Sequence, residues 1–105
     1  MIGFNRRFSP LMTKMKSIID RTNTPFSMIY TCNAGDIPSE NWLQNPEIGG
    51  GRIVGEACHF IDIARFMADS PIKTIQATSM KQIGGSQDCQ DTATITLSFE
   101  SGSIA

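Results

Sequence analysis

The chain has 105 residues, of which 40% are hydrophobic and 18% are charged, and its formal net charge at pH 7 is −1. This length supports one small domain with one hydrophobic core, and the composition is that of a folded protein. The near-neutral charge argues against binding to nucleic acid or to a membrane surface, because both usually require an excess of basic residues.

The chain begins with a stretch that predicts a helix. Met1–Phe4 has the character of a short strand, and Ser9 followed by Pro10 is typical of a helix N-cap and first turn. The apolar residues that follow at helical spacing should face the core: Leu11, Met15, Ile18 and Ile19. The helix should end at the polar stretch before Pro25.

A strand and a long loop come next. Phe26–Cys32 is rich in β-forming residues and nearly alternates, which predicts a strand. Residues 33–51 are rich in glycine and proline and predict a loop, with a short helical turn at Trp42 that begins at Ser39. A loop of this length in a small domain is either functional or covers another part of the molecule.

Residues 52–68 predict a helix that is apolar over most of its circumference. Its apolar face comprises Val54, Ala57, Cys58, Ile61, Ala64 and Ala68. A narrow polar strip comprises Gly55, His59, Asp62, Arg65 and Asp69. A helix of this kind is largely buried, and its polar strip should face a cleft or a polar loop.

The last third of the chain predicts strands. Residues 72–82 indicate one strand, and residues 84–91 a turn-rich loop. Thr92–Phe99 alternates strictly between apolar and polar residues, which predicts a half-buried antiparallel strand. A hairpin turn should follow at residues 100–103, but Ser103–Ala105 is too short for a return strand, so the chain resembles part of a longer protein.

The three cysteines, Cys32, Cys58 and Cys89, lie far apart and form no CxxC pair. A zinc site would need all three thiols together with His59, so small buried cysteines in a reducing, cytoplasmic compartment are the simpler interpretation. No apolar run approaches the roughly 20 residues of a membrane span, and no signal peptide is evident. We therefore expect no metal ligands in this chain.

The stretch GGGRIVGEACHFID, residues 49–62, contains the only histidine of the chain. The glycine triplet is compatible with a flexible loop at a helix start, or with close approach of the backbone to a ligand. His59 is compatible with a structural role, or with proton transfer assisted by a hydrogen bond from its imidazole to Glu56 or Asp62. The residues alone leave both pairs of alternatives open.

This stretch resembles the glycine-rich motif of the Gfo/Idh/MocA oxidoreductases, in which the glycines open a helix that carries a histidine. The opening GFNRRFSP also resembles the segment in which that family passes from its dinucleotide-binding domain into its second domain. The resemblance implies that His59 is the catalytic acid/base and that Arg6 and Asn33 line the substrate pocket. Gly55 stands where the family usually has an aspartate, and Glu56 follows one position later, rotated by about 100° on a helix. Glu56 is a further candidate for substrate binding, and the resemblance leaves open whether it replaces the missing carboxylate.

The resemblance implies an α+β fold, with helices on one face of a mostly antiparallel sheet, as a truncated C-terminal domain over residues 1–105. The N-terminal Rossmann domain that holds NAD or NADP has no counterpart here, so this chain alone should bind no cofactor and be inactive. The implied function is substrate binding and oligomerisation in an NAD(P)-dependent oxidoreductase of a sugar- or polyol-like alcohol, with homo-oligomers formed through the sheet. The alternative is a non-catalytic binding or assembly module of the same fold.

Overall fold

The structure is a computed structural model, and it describes residues 3–38, 40–80 and 92–105. Its regular elements are two α-helices, α1 (Pro10–Ile19) and α2 (Cys58–Ala68), and two β-strands, β1 (Ile72–Ser79) and β2 (Ala93–Phe99). Three short helical turns accompany them: a 3₁₀ turn at Arg6–Phe8, a second at Trp42–Gln44, and a π-helical turn at Ile53–Ala57 that leads into α2. The predicted α+β class is confirmed. The expected strand at Met1–Phe4 is absent over residues 3–5, and the predicted loop at 84–91, with Cys89, lies outside the described residues.

Helix α1 begins as predicted, but its packing differs from the prediction. The Ser9 side chain caps the helix by accepting a hydrogen bond from the Met12 N–H at 3.3 Å, and Pro10 occupies the first turn. The predicted core face is exposed, with Leu11 at 78%, Met15 at 45% and Ile18 at 52%. The half-buried side chains of α1 are Met12, Lys16 and Ile19, so of the four predicted core residues only Ile19 is partly buried.

The predicted helix at 52–68 contains a π-helical turn that its apolar periodicity did not reveal. Over Ile53–Ala57 the backbone hydrogen bonds span one residue more than in an α-helix, so the α-helical spacing of side chains fails there. Val54, predicted on the apolar face, is 69% exposed as a result. Beyond the turn the α-helical pattern holds, and the buried side chains of α2 are Asp62, Ile63, Ala64 and Met67. Asp62, predicted on the polar strip, is buried, and the residues of this helix that line the cleft described below come from outside that strip.

The two strands form an antiparallel ladder in which Ile75 pairs with Leu97 and Ala77 with Ile95. The predicted alternation of β2 is confirmed, since Leu97 and Phe99 are each 3% exposed. They form the core with Ala64 of α2, which places the helix against this face of the sheet. Burial of each large side chain stabilises the fold by about 1.5–3 kcal/mol.

The hairpin turn after β2 is confirmed, and the chain does return. Gly102 adopts a φ of 88°, which favours glycine, and its N–H donates to the Phe99 carbonyl at 3.0 Å. Leu97 and Ala105 then exchange two backbone hydrogen bonds of 2.8 and 3.0 Å. The tight turn brings Ser103–Ala105 directly alongside β2, where Ile104 forms an isolated bridge with Ser98, but these residues form no strand of their own, as their length predicts.

The predicted strand at Phe26–Cys32 is wrong. Only Ser27 forms an isolated bridge, parallel to Ile104, with hydrogen bonds from the Met28 N–H to Ile104 and from the Ile104 N–H to Phe26. Among the described residues, this stretch therefore pairs through Ser27 alone despite its β-forming composition, and Ile29 is 90% exposed.

The loop before α2 is held by capping interactions. The Asn41 side chain accepts a hydrogen bond from the Leu43 N–H at 3.0 Å and so caps the turn Trp42–Gln44. The predicted turn at Trp42 is confirmed, with Asn41 as its cap; Ser39, the predicted start, lies outside the described residues. This loop places Leu43 against the glycine-rich segment that precedes α2.

Candidate functional site

Two consecutive arginines connect the first 3₁₀ turn to the helix that carries His59. Arg6 Nη2 lies 2.7 Å from Glu56 Oε2. Arg7 Nε donates to Asp62 Oδ2 at 2.8 Å, and its Nη2 donates to Oδ1 of the same carboxylate. Adjacent side chains of a 3₁₀ turn diverge by about 120°, so the two arginines reach carboxylates at different positions along the helix.

The two ion pairs differ in burial. In the Arg6–Glu56 pair the side chains are 40% and 42% exposed, whereas in the Arg7–Asp62 pair they are 29% and 8% exposed. The hydrogen bonds and the negative charge of Asp62 raise the pKa of Arg7 above its ordinary value, against the opposing effect of burial. The Arg7–Asp62 pair therefore stabilises the contact between the Arg6–Phe8 turn and α2, while the Arg6–Glu56 pair remains accessible to a ligand.

The aromatic ring of Phe60 packs against the Arg6 guanidinium. The Arg6 Cζ lies 4.6 Å from the centroid of the Phe60 ring, within the range of a cation–π interaction. The Phe60 ring stacks in turn on Tyr30, with centroids 4.8 Å apart and ring planes 29° apart. Arg6 is thus held on one side by a carboxylate and on another by an aromatic pair.

A cleft of about 1220 Å³ opens beside this cluster. Three of the four residues predicted to form the site line it: Arg6, Asn33 and Glu56. The aromatic pair Tyr30 and Phe60 also lines it, and Ile95 and Leu97 of β2 contribute apolar surface. The charged side chains of the described lining are Arg6, Arg52, Asp36 and Glu56. The cleft is therefore partly apolar, with balanced charge.

His59 is the predicted site residue that does not line the cleft. Its ring meets Phe4 edge-on, with centroids 5.9 Å apart and planes at 86°. Its Nδ1 atom is buried and has no hydrogen-bond partner among the described residues. The expected hydrogen bond to Glu56 or Asp62 is not formed, because each carboxylate binds an arginine instead. The structure thus leaves this buried ring nitrogen without a hydrogen-bond partner among the described residues.

The glycines near His59 have a geometric role. A Cβ added to Gly49 would lie 2.4 Å from the Leu43 Cα, and Gly50 and Gly51 adopt φ values of 70° and 84°. Of the two interpretations of the triplet, close backbone approach fits, but the partner is the chain's own loop. A Cβ on Gly55 would meet the end of the Leu43 side chain at 3.1 Å, so position 55 faces the same loop.

Several cleft residues escaped prediction. Tyr30 lies in the predicted strand at Phe26–Cys32 and Phe60 in the predicted helix at residues 52–68, and neither was predicted as a site residue. Arg52 donates from Nη1 to the Gly35 carbonyl at 2.5 Å, which fastens the loop at the rim of the cleft to the segment that precedes α2. The one sequence feature that could have indicated Phe60 as a cleft residue is its position next to His59, the only histidine of the chain.

The described residues offer neither a metal centre nor a dinucleotide site. No group of three or more His, Cys, Asp or Glu side chains could hold a metal ion in the described ranges. No glycine-rich turn within those ranges links a strand to a helix, so these residues do not fit the diphosphate of a nicotinamide dinucleotide. None of the helices in these ranges has the length and hydropathy of a membrane span.

Comparisons with known proteins identify relatives of about three times this length. The model of the GFO/IDH/MocA C-terminal domain matches residues 24–105. An uncharacterised oxidoreductase of Bacillus subtilis (strain 168), YrbE, is 30% identical over 109 residues, which cover 99% of this chain and 31% of that protein.

Two solved structures share the fold. One, described as a "putative myo-inositol dehydrogenase" from Sinorhizobium meliloti 1021, has a TM-score of 0.71 at 22% identity and covers 100% of this chain and 32% of its own. The other, described as a "putative NADPH-dependent oxidoreductase" from Desulfitobacterium hafniense DCB-2, has a TM-score of 0.73 at 21% identity, with coverages of 100% and 31%. The match to the domain model, over more than half of the chain, shows that the chain belongs to the Gfo/Idh/MocA oxidoreductase family, with residues 24–105 as its C-terminal domain.

Proposed function

We propose that this chain supplies the substrate-binding part of an NAD(P)-dependent oxidoreductase that acts on a sugar- or polyol-like alcohol. The observation that carries the proposal is the cleft beside the Arg6–Glu56 pair, which combines hydrogen-bonding side chains with aromatic rings. Arg6, Asn33 and Glu56 together offer donors and acceptors for several hydroxyl groups. Tyr30 and Phe60 offer apolar faces for the C–H groups of a sugar ring, and a cleft of this composition is typical of small-molecule sites.

We assign proton transfer to His59. Oxidation of an alcohol removes a proton from the hydroxyl group and a hydride from the carbon, and a neutral imidazole is suited to accept the proton. Two observations support this assignment: His59 is the only histidine of the chain, and its buried Nδ1 atom has no hydrogen-bond partner among the described residues. The described residues do not bind the nicotinamide that would accept the hydride, because they form no nucleotide-binding site. A nucleotide-binding domain elsewhere in the protein must supply the nicotinamide, and NAD and NADP remain equal candidates.

The alternative is a non-catalytic binding or assembly module of the same fold. Two observations favour it: His59 does not line the cleft, and no carboxylate stands at position 55. The two functions differ in what they require of the imidazole, since a binding module has no need for a proton acceptor.

Replacement of His59 by alanine in the full-length protein separates the two functions. Turnover of a panel of polyols and aldoses with NAD+ or NADP+ should fall by about two to four orders of magnitude. Affinity for the nicotinamide cofactor should stay unchanged. Arg65→Ala is the matched control, because Arg65 is an exposed residue of the same helix. Unchanged turnover in H59A would remove the assignment of the acid/base role and leave the binding module.

The exposed part of the sheet supports a role in self-association. Within the described residues β1 pairs with β2 alone, and Ile75, opposite the buried Leu97, is 59% exposed. An uncovered apolar position on a strand with an unpaired edge favours pairing with a second copy. We therefore include association through this sheet in the proposed function.

A further inference from the structure

Glu56 balances the charge of the cleft. The charged side chains of its described lining are two cations, Arg6 and Arg52, and two anions, Asp36 and Glu56. Arg52 donates to the Gly35 carbonyl, whereas Arg6 is bound directly to the carboxylate of Glu56 at 2.7 Å. Loss of the Glu56 charge would therefore leave the cleft with one excess positive charge, located at Arg6.

An arginine without its carboxylate would bind anions well. A guanidinium presents donors in a planar fork that matches a carboxylate, and such charge-assisted hydrogen bonds are about twice as strong as neutral ones. The Arg6 guanidinium is already oriented, because its Cζ lies 4.6 Å from the Phe60 ring centroid and Phe60 stacks on Tyr30. In the folded protein the Glu56 carboxylate occupies the hydrogen-bond donors of Arg6, and its negative charge repels an incoming anion.

We propose that Glu56 is the specificity-determining residue that makes this cleft accept uncharged polyhydroxyl compounds and reject carboxylated ones. The inference rests on the proposed function in its choice of cleft and of substrate class. It goes further in assigning Glu56 a task distinct from proton transfer: the side chain neutralises Arg6 and disfavours a sugar acid. At 42% exposure Glu56 is accessible to solvent, so a ligand in the cleft meets this charge directly.

Binding of two matched probes to the full-length protein tests the proposal. D-Glucose and D-glucuronate have the same ring and differ in the carboxylate at C6, and ligand-observed NMR titration gives the Kd of each without any turnover. The variants are Glu56→Gln, which keeps the shape and removes the charge, and Arg6→Gln, which removes the cation and leaves the carboxylate. Glu47→Gln is the matched control, because Glu47 is exposed and does not line the cleft.

We expect wild type to bind glucose more tightly than glucuronate. E56Q should shift the ratio of the two Kd values about tenfold towards glucuronate, whereas R6Q should shift it in the opposite direction. E47Q should leave the ratio unchanged. An equal ratio in wild type and E56Q would overturn the proposal even if H59A abolishes turnover. Binding of neither sugar to any of these proteins would overturn both this proposal and the proposed function.

Discussion

Removal of the Asp62 carboxylate measures how firmly the Arg6–Phe8 turn is held against α2. Asp62 is 8% exposed and accepts two hydrogen bonds from Arg7, whose side chain is 29% exposed. Asp62→Ala leaves that guanidinium partly buried without a partner. Breaking a fully buried ion pair costs about 3–5 kcal/mol, and the partial exposure of Arg7 reduces this to about 2–3 kcal/mol.

Thermal unfolding followed by circular dichroism provides the assay. For a domain of this size a loss of about 2–3 kcal/mol lowers the Tm by roughly 10–20 °C. Asp20→Ala is the matched control, since Asp20 forms an exposed i,i+4 pair with Lys16 and is itself 52% exposed. Its removal should cost no more than about 0.5 kcal/mol.

The pH dependence of this effect follows from Arg7. A raised pKa in the folded state means that the stabilisation is fully present below the ordinary pKa of arginine and is lost only above it. The difference in Tm between wild type and D62A should therefore stay constant from neutral pH to about pH 10. If D62A lowered the free energy of unfolding no more than D20A does, the Arg7–Asp62 pair would not stabilise the contact between the Arg6–Phe8 turn and α2.

Two further measurements test the loop and the sheet. Gly49→Ala should lower the free energy of unfolding by about 2 kcal/mol or more, because its Cβ would meet the Leu43 backbone at 2.4 Å. Gly3→Ala is the control, because no described atom lies within 4 Å of the added Cβ. Equal effects of the two substitutions would contradict the close approach of Gly49 to Leu43. Sedimentation should show dimers or larger forms at tens of micromolar, and Ile75→Lys on the exposed strand should reduce association. A monomer in wild type would remove the role of the sheet in assembly.

Local patterns predicted the elements that depend on local physics. The Ser9 cap, the alternation along β2 and the turn at Gly102 each rest on interactions between residues close in sequence, and each is confirmed. Two predictions were wrong for a common reason: the burial of one apolar stripe of α1, and the strand at Phe26–Cys32. In both, composition fitted an element, but the partner that would bury or pair it was not set by the local sequence.

The candidate site divides in the same way. The stretch around His59 could be found from sequence, because a lone histidine beside glycines and carboxylates is visible there. The pairing of Arg6 with Glu56 joins residues 50 positions apart, and that of Arg7 with Asp62 joins residues 55 apart. No periodicity encodes such pairs, and the π-helical turn that accompanies them breaks the spacing from which facing side chains are inferred.

The position of Glu56 changes how the missing carboxylate at position 55 is understood. A carboxylate there would extend towards Leu43, since the added Cβ lies 3.1 Å from that side chain. Glu56 lines the cleft and binds Arg6, and its carboxylate makes no hydrogen bond with His59 among the described contacts. It therefore does not reproduce a carboxylate–histidine relay. Under the proposed function, His59 acts with a group outside these residues, and the role that we propose for Glu56 is to select the ligand and not to transfer the proton.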